Sequence, residues 1–264
     1  MITAQVEAAW RKLLEERLGL RYSEHSPVLK TAINRLCKKL DLTAEGALAV
    51  LSQRGAEHPM WVSVCDEVVV SSSRFFRDPE MYNAIDHWYK QRQPTTELAV
   101  ISVGSADGRE VYSLAMLLAE LGSDYRIMGV DLSPKANSLA QAALYSERDI
   151  ADIPEHYRGR FIEQIESGEY TVHHELKHNI SFVEPTHLFN EKSLSADLIS
   201  CQNTLMYLTQ KQQINYLNWF EQHLRPGGML VLSPTDQPQW KGNRLLRNSS
   251  PKVRAFIKPL GEAA

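Results

Sequence analysis

Two stretches far apart in the chain carry the residue types that chemistry needs. Asp197-Leu198-Ile199-Ser200-Cys201-Gln202-Asn203-Thr204-Leu205-Met206-Tyr207 is an apolar run that ends in a polar cluster and then an aromatic hydroxyl. Ser73-Arg74-Phe75-Phe76-Arg77-Asp78 supplies a guanidinium behind two aromatic rings. An open α/β sheet presents a site in this way, releasing polar side chains at the carboxyl ends of its strands. A distant arginine can complete such a site by holding an anion through charge-assisted hydrogen bonds.

Val103-Gly104-Ser105-Ala106-Asp107-Gly108 joins another apolar run to a helical stretch, where glycines let the backbone approach a ligand closely. Asp131 closes the next apolar run, about 20 residues on, the distance at which an acidic side chain can accept hydrogen bonds from a ribose diol. A nucleoside-bearing cofactor is the inference. The spacing is GxxxG rather than GxGxxG, which favours a cofactor without a pyrophosphate, such as S-adenosylmethionine, over a dinucleotide. The loop alone leaves open a bare strand-to-helix turn with Asp131 as a cap beside Ser133. His173, His174 and His178 lack acidic neighbours at metal-ligand spacing, so no metal is expected.

The elements that must position these residues follow from periodicity. Trp10, Leu13, Leu14 and Leu18, then Leu29, Ile33, Leu36, Cys37 and Leu40, recur at three and four and predict two amphipathic helices, with a third over Thr43–Ser52. From Leu98 the pattern becomes short apolar runs between helical stretches. Leu98–Val103 is a buried strand, Glu110–Leu121 a helix, Ile127–Asp131 a strand, and Ser133-Pro134 opens a further helix. That alternation implies a parallel sheet with crossover helices. Thr209-Gln210-Lys211-Gln212 reads as a capping box before a helix faced by Ile214, Leu217, Phe220 and Leu224, which Pro226-Gly227-Gly228 stops before a strand at Met229–Ser233. Residues 150–180 read as an inserted β hairpin, and the basic tail after Trp240 shows little pattern.

The totals bound the function. A chain of 264 residues can bury one mid-sized core plus a small one. Its net charge of -3 gives no global case for nucleic acid or an anionic membrane as partner. No apolar run reaches the eighteen or so residues of a membrane helix, and Met1–Leu20 is amphipathic, so a cytoplasmic location is expected. Cys37, Cys65 and Cys201 form neither a disulfide framework nor a metal pair.

Ser73–Asp78, Gly104–Glu110 with Tyr112-Ser113-Leu114-Ala115-Met116, Gly129-Val130-Asp131, Cys201-Gln202-Asn203 with Met206-Tyr207, and Leu224-Arg225-Pro226-Gly227-Gly228 together resemble the CheR family of chemoreceptor glutamate methyltransferases. The resemblance spans nearly the whole chain, including the opening helix at Glu15–Leu20. It implies a Rossmann-like class I methyltransferase sheet over residues 81–264, an all-helical domain over 1–80 and a β insert at about 153–182. It implies S-adenosylmethionine as cofactor and the cytoplasmic helices of a methyl-accepting chemoreceptor as partner, with the protein a monomer.

Carried over residue by residue, the resemblance puts Ser71, Ser73, Arg77 and Gly104 beside the cofactor, and Glu110 and Asp131 on its amino group and ribose. His187 and Leu188 match the pair flanking the adenine, Asn203 and Thr204 the pair ending the fourth strand. Arg77 and Tyr207 fall beside the transferred methyl group. Lys30, Arg35, Lys38 and Lys39 match a basic helix that grips the receptor, although by composition alone they are a solvated face. Several positions depart from the pattern. Asp107 and Arg109 stand where a small polar residue and an acid are usual, Val111 replaces a proline, Gln202 an arginine and His187 an asparagine, and Ser233-Pro234-Thr235-Asp236 replaces Gly-His-Ser-Glu. The competing class is a non-catalytic relative that binds cofactor or receptor as a signalling module; retention of Arg77, Asp131, Asn203 and Tyr207 favours the enzyme. A nucleic-acid methyltransferase would call for a basic groove and stacking platforms, which the dispersed aromatics do not suggest.

Overall fold

A computed structural model describes residues 2–55, 58–69, 73–92, 96–191, 193–236, 240, 245–247 and 253–260. The chain opens with α1 (Ala4–Leu18), α2 (Pro27–Leu40), α3 (Ala44–Gln53) and α4 (Met60–Val68). The first three begin where Thr3, Ser26 and Thr43 accept a hydrogen bond from a backbone N–H of the first turn, satisfying a donor that the helix cannot. Their buried stripes meet around Trp10, whose indole N–H donates to the Ala44 carbonyl at 3.0 Å. A fifth helix, α5 (Pro79–Arg92), follows the Ser73–Asp78 loop.

The sheet begins with β1 (Leu98–Val103), crosses through α6 (Arg109–Glu120) to β2 (Tyr125–Val130), and leaves it through α7 (Pro134–Ala142). Every residue of β1 is buried, as a strand covered on both faces requires. Next come β3 (Leu144–Tyr145), α8 (Glu147–Ile150), α9 (Glu155–Phe161), β4 (Ile162–Gln164), β5 (Tyr170–Val172) and α10 (His174–Lys177). β3, β5 and β4 form a separate three-stranded antiparallel sheet. This insert therefore starts earlier than its sequence suggests and ends earlier too, because β6 (Ile180–Val183) pairs parallel to β2. α11 (Pro185–Asn190) leads to β7 (Ala196–Cys201), a single 3-10 turn at Leu205–Tyr207, α12 (Gln210–His223) and β8 (Leu224–Leu232).

The capping box expected before α12 forms by half. Thr209 accepts from the Gln212 amide, whereas the Gln212 side chain lies against Gly19 and accepts from Asn215. Pro226-Gly227-Gly228 sits inside β8, not before it, at an irregularity in its pairing with β7. The tail supplies two short antiparallel strands, β9 (Leu246–Arg247) and β10 (Arg254–Ile257), too short for alternation to reveal.

Among the described residues the main sheet has the order β6-β2-β1-β7-β8-β10-β9, parallel through β8 and antiparallel thereafter. Its two faces serve different partners. Ile101, Val103, Ile199 and Leu230 share an apolar cluster with α1–α4 and α12, while Val100, Leu198, Met229 and Val231 pack with α5, α6 and the insert. The amino-terminal helices thus roof one face of the sheet, and the division expected at residue 80 falls in the first turn of α5.

Candidate active site

Connections run outward in both directions from β1 and β7, so this pair is the topological switch point, where open α/β sheets bind ligands at their carboxyl ends. The register is level there, Val103 opposite both Val130 and Cys201. Gly104, Asp131 and Gln202 consequently leave the sheet side by side. They line a cavity of about 750 Å3 that Trp61, Cys65 and Val68 of α4 close from the other side, within the range of small-molecule sites.

Asp131 is held rigidly. Its carboxylate accepts from the Ala106 and Ser133 amides, each at 2.9 Å, and burial pushes its pKa up against the pull of those amides. Each oxygen keeps a lone pair, so the group can accept from two ribose hydroxyls. Glu110, in the first turn of α6, accepts from the Ser102 hydroxyl at 2.9 Å. Burial raises its pKa, while hydrogen bonds from Ser200 and Ser102 and the charge of Arg77 oppose the rise. A carboxylate in such a wall, once ionised, can hold a cationic amino group.

Gly104 turns with φ +80°, and a side chain there would collide with the Thr204 hydroxyl. Thr204 lies within reach of the Val103 and Gln202 carbonyls, at 3.3 and 3.1 Å. Asn203, also at positive φ, donates to Ser233 and Thr235 at 2.9 and 3.0 Å and so ties the ends of β7 and β8 together. Gln202 is the departure that bears on a ligand. Its Nε2 is buried without a protein partner among the described residues, and other atoms of the residue line the cavity.

The guanidinium arrives by aromatic packing. Phe75 is buried edge-on to Tyr145 at 4.9 Å, and Phe76 stacks on Tyr157 at 4.9 Å. Phe76 adopts φ +47°, unusual for an aromatic residue, with its amide donating to Ser113 at 3.0 Å. Arg77 follows on the exposed side and lines the cavity together with Ser73 and Tyr207. Tyr207 belongs to the 3-10 turn, and its carbonyl accepts from the Arg21 amide at 2.7 Å. Leu20 bridges Leu208 beside it, and the Thr209 amide donates to the Gly19 carbonyl at 2.8 Å. The end of α1 is thereby strapped to the turn carrying the phenol.

Eight expected residues, Ser73, Arg77, Gly104, Glu110, Asp131, Asn203, Thr204 and Tyr207, line one cavity. Ser71 lies outside the described residues. His187 and Leu188 do not line it: Leu188 is buried in the core, His187 is exposed, and Pro185, Thr186 and Phe189 of the same helix face the cavity instead. Helical period accounts for this placement, since 185, 186 and 189 share one face and 187 and 188 point elsewhere. The basic stripe on α2 is largely engaged. Lys30 pairs with Glu7 at 3.2 Å, Arg35 with Glu67 at 3.1 Å and Lys39 with Asp66 at 4.0 Å, whereas exposed Lys38 makes none of the ion pairs found among the described residues. Sequence reasoning missed Tyr22 and the α4 wall. Tyr22 lines the cavity, donates to the Val68 carbonyl, and has its pKa pushed up to about 12, first by burial and then by Tyr207. Only the helical stripe of Trp61, Val64, Cys65 and Val68 hinted at that wall.

The fold is that of the Rossmann-like class I methyltransferases. The chain belongs to the CheR methyltransferase family, residues 71–252 matching "CheR methyltransferase, SAM binding domain". Its cofactor is S-adenosylmethionine. It is similar to the "Chemotaxis protein methyltransferase" of Borreliella burgdorferi, with 21% identity over 91% of this chain and 90% of that one. A stretch making up 64% of the chain is 29% identical to part of the "Uncharacterized 104.1 kDa protein in hypE 3'region" of Rhodobacter capsulatus, of which it spans 19%. Among solved structures it is similar to magnesium protoporphyrin IX methyltransferase (ChlM) from Synechocystis PCC 6803 with bound SAM, at TM-score 0.39 and 12% identity over 86% of this chain and 97% of that one. Among the described residues no helix is long and apolar enough to cross a membrane.

Proposed function

We propose that this methyltransferase esterifies glutamate side chains on the cytoplasmic helices of a chemoreceptor. The observation that carries the proposal is the meeting of Arg77 and Tyr207, from separate parts of the chain, on the wall of the cavity that also holds Glu110 and Asp131. S-adenosylmethionine, when bound, supplies the electrophilic methyl group on its sulfonium. Asp131 would accept from the ribose, and Glu110 would hold the amino group.

A glutamate carboxylate is ionised at neutral pH, so its methylation needs no general base. It needs one oxygen aimed at the methyl carbon, and positioning supplies most of that advantage. Arg77 would hold the acceptor by charge-assisted hydrogen bonds, and the Tyr207 hydroxyl would donate to the oxygen that is not reacting. Arg77 also sits close enough to favour ionised Glu110, so one guanidinium would serve both sides of the transfer.

The name of the Borreliella burgdorferi relative, a chemotaxis protein methyltransferase, supports a receptor as partner. Lys38 is the cation of the α2 stripe best suited to reach one, because its three neighbours already face acids within the chain. The test is transfer of radiolabelled methyl from the cofactor to a receptor cytoplasmic fragment. Label released by mild alkali, as a methyl ester must be, is the expected result. Alkali-stable label, or cofactor binding without transfer, would refute it, the latter assigning the chain to the signalling modules.

A further inference from the structure

We propose that Arg109 is a positioning residue, clamping the Ser73–Arg77 segment to the head of α6 and so fixing where the Arg77 guanidinium stands. Arg109 occupies a position where an acid is usual, two residues from Asp107, itself a departure. The structure gives the two a joint purpose. One nitrogen of Arg109 donates to the Ser73 carbonyl at 2.8 Å, and the other lies 3.0 Å from both Asp107 and Asp149. The guanidinium also lies over the Tyr145 ring, 5.7 Å from its centroid.

The clamp has a second jaw. Ser113, one turn along α6, accepts from the Phe76 amide at 3.0 Å and donates to the Arg109 carbonyl at 2.7 Å. Ser73 and Phe76 are thus both pinned to one helix, one residue short of Arg77. Such pinning is required, because Phe76 at φ +47° holds a conformation that persists only where its surroundings over-determine it. Tyr145 links the jaws: its hydroxyl donates to the Asp107 carbonyl at 2.9 Å, and its ring supports Phe75. An acid at position 109 would face Asp107 and Asp149 with like charge and could donate nothing to Ser73. The planar fork serves these partners from two separate nitrogens, whereas the three donors of a lysine all sit on one and cannot span them.

The inference depends on the proposed role of Arg77 for its kinetic arm alone. Arg109→Lys keeps a positive charge between the two aspartates, so the fold should survive a change that Arg109→Ala, which leaves both acids without a counter-charge, would not isolate. With one charge-assisted bond lost, the Phe76 amide should exchange its hydrogen about tenfold faster and turnover should fall about tenfold. On an Arg77→Ala background the same change should cost no further turnover, since a residue acting through Arg77 has nothing left to position. Phe76 exchange within about twofold of wild type, or losses that multiply, would overturn the proposal. If the wild-type protein methylates no receptor fragment, the reading of the acceptor fails while the exchange experiment, which needs none, still decides the clamp.

Discussion

Arg77 is exposed, yet its charge reaches the enclosed Glu110. A guanidinium placed to steer an acceptor should matter more for transfer than for holding the cofactor, because only interactions stronger in the transition state speed the reaction. Arg77→Ala should lower turnover about 100-fold while changing the affinity for S-adenosylhomocysteine by less than about threefold, a charge-assisted pair being worth up to ~3 kcal/mol. Calorimetry beside a transfer assay measures both, and equal losses would contradict the assignment. Glu110 makes a separate prediction. A carboxyl whose folded pKa is raised keeps its proton to higher pH in the folded state than in the unfolded one. Its contribution to stability is therefore largest in acid and is lost as pH rises above the ordinary carboxylate range. Glu110→Gln should raise the melting temperature of the cofactor-free protein at neutral pH, flatten that decline, and weaken cofactor binding. A melting temperature lower than wild type at neutral pH would contradict this.

Elements set these residues in place, and some of that was legible in advance. The alternation from Leu98 onward predicts β1, α6, β2 and α7 in order, because a parallel sheet buried on both faces leaves continuous apolar runs in the sequence. Asp131 and the Cys201–Asn203 cluster could be placed at strand ends for the same reason. What stayed hidden depends on contacts that no local pattern records. The facing of α11, which turns His187 and Leu188 away from the cavity, is set by packing of Leu188 into the core. The strap from Gly19–Arg21 to Tyr207–Thr209 joins segments with no shared signature. Gly19 makes the strap testable. It adopts φ +67°, and a side chain there would collide with the Gln212 Cγ. Gly19→Ala should destabilise the protein by about 1–2 kcal/mol in denaturant unfolding and reduce turnover more than cofactor affinity. Unchanged turnover would show that the strap does not position Tyr207.

Across the whole molecule, the two ends of the sheet divide stability from chemistry. The carboxyl ends open on the cavity, whereas at the amino end Asp197 is buried between Arg92 and Arg225, at 2.7 and 2.8 Å, and accepts from the Ala99 amide at 3.0 Å. That carboxylate joins α5, β1, β7 and β8. Asp197→Asn leaves two partly buried guanidinium groups short of a counter-charge, a change worth ~3–5 kcal/mol. It should lower the melting temperature by about 10 °C with cofactor affinity unaltered; a loss of affinity without a loss of stability would contradict the division. The roof of amino-terminal helices gives the molecule its second requirement, since Trp61 and Val68 close the cavity and Tyr22 reaches Tyr207. In the proposed reaction an acidic side chain of a receptor is held by Arg77 and Tyr207 against the cofactor. Tandem mass spectrometry of a receptor cytoplasmic fragment, incubated with cofactor and either the wild-type protein or Arg77→Ala, tests it most directly. Methyl groups should appear on glutamate side chains with the wild type and almost none with the variant. Methyl groups on lysine or serine, or equal modification by both proteins, would contradict it.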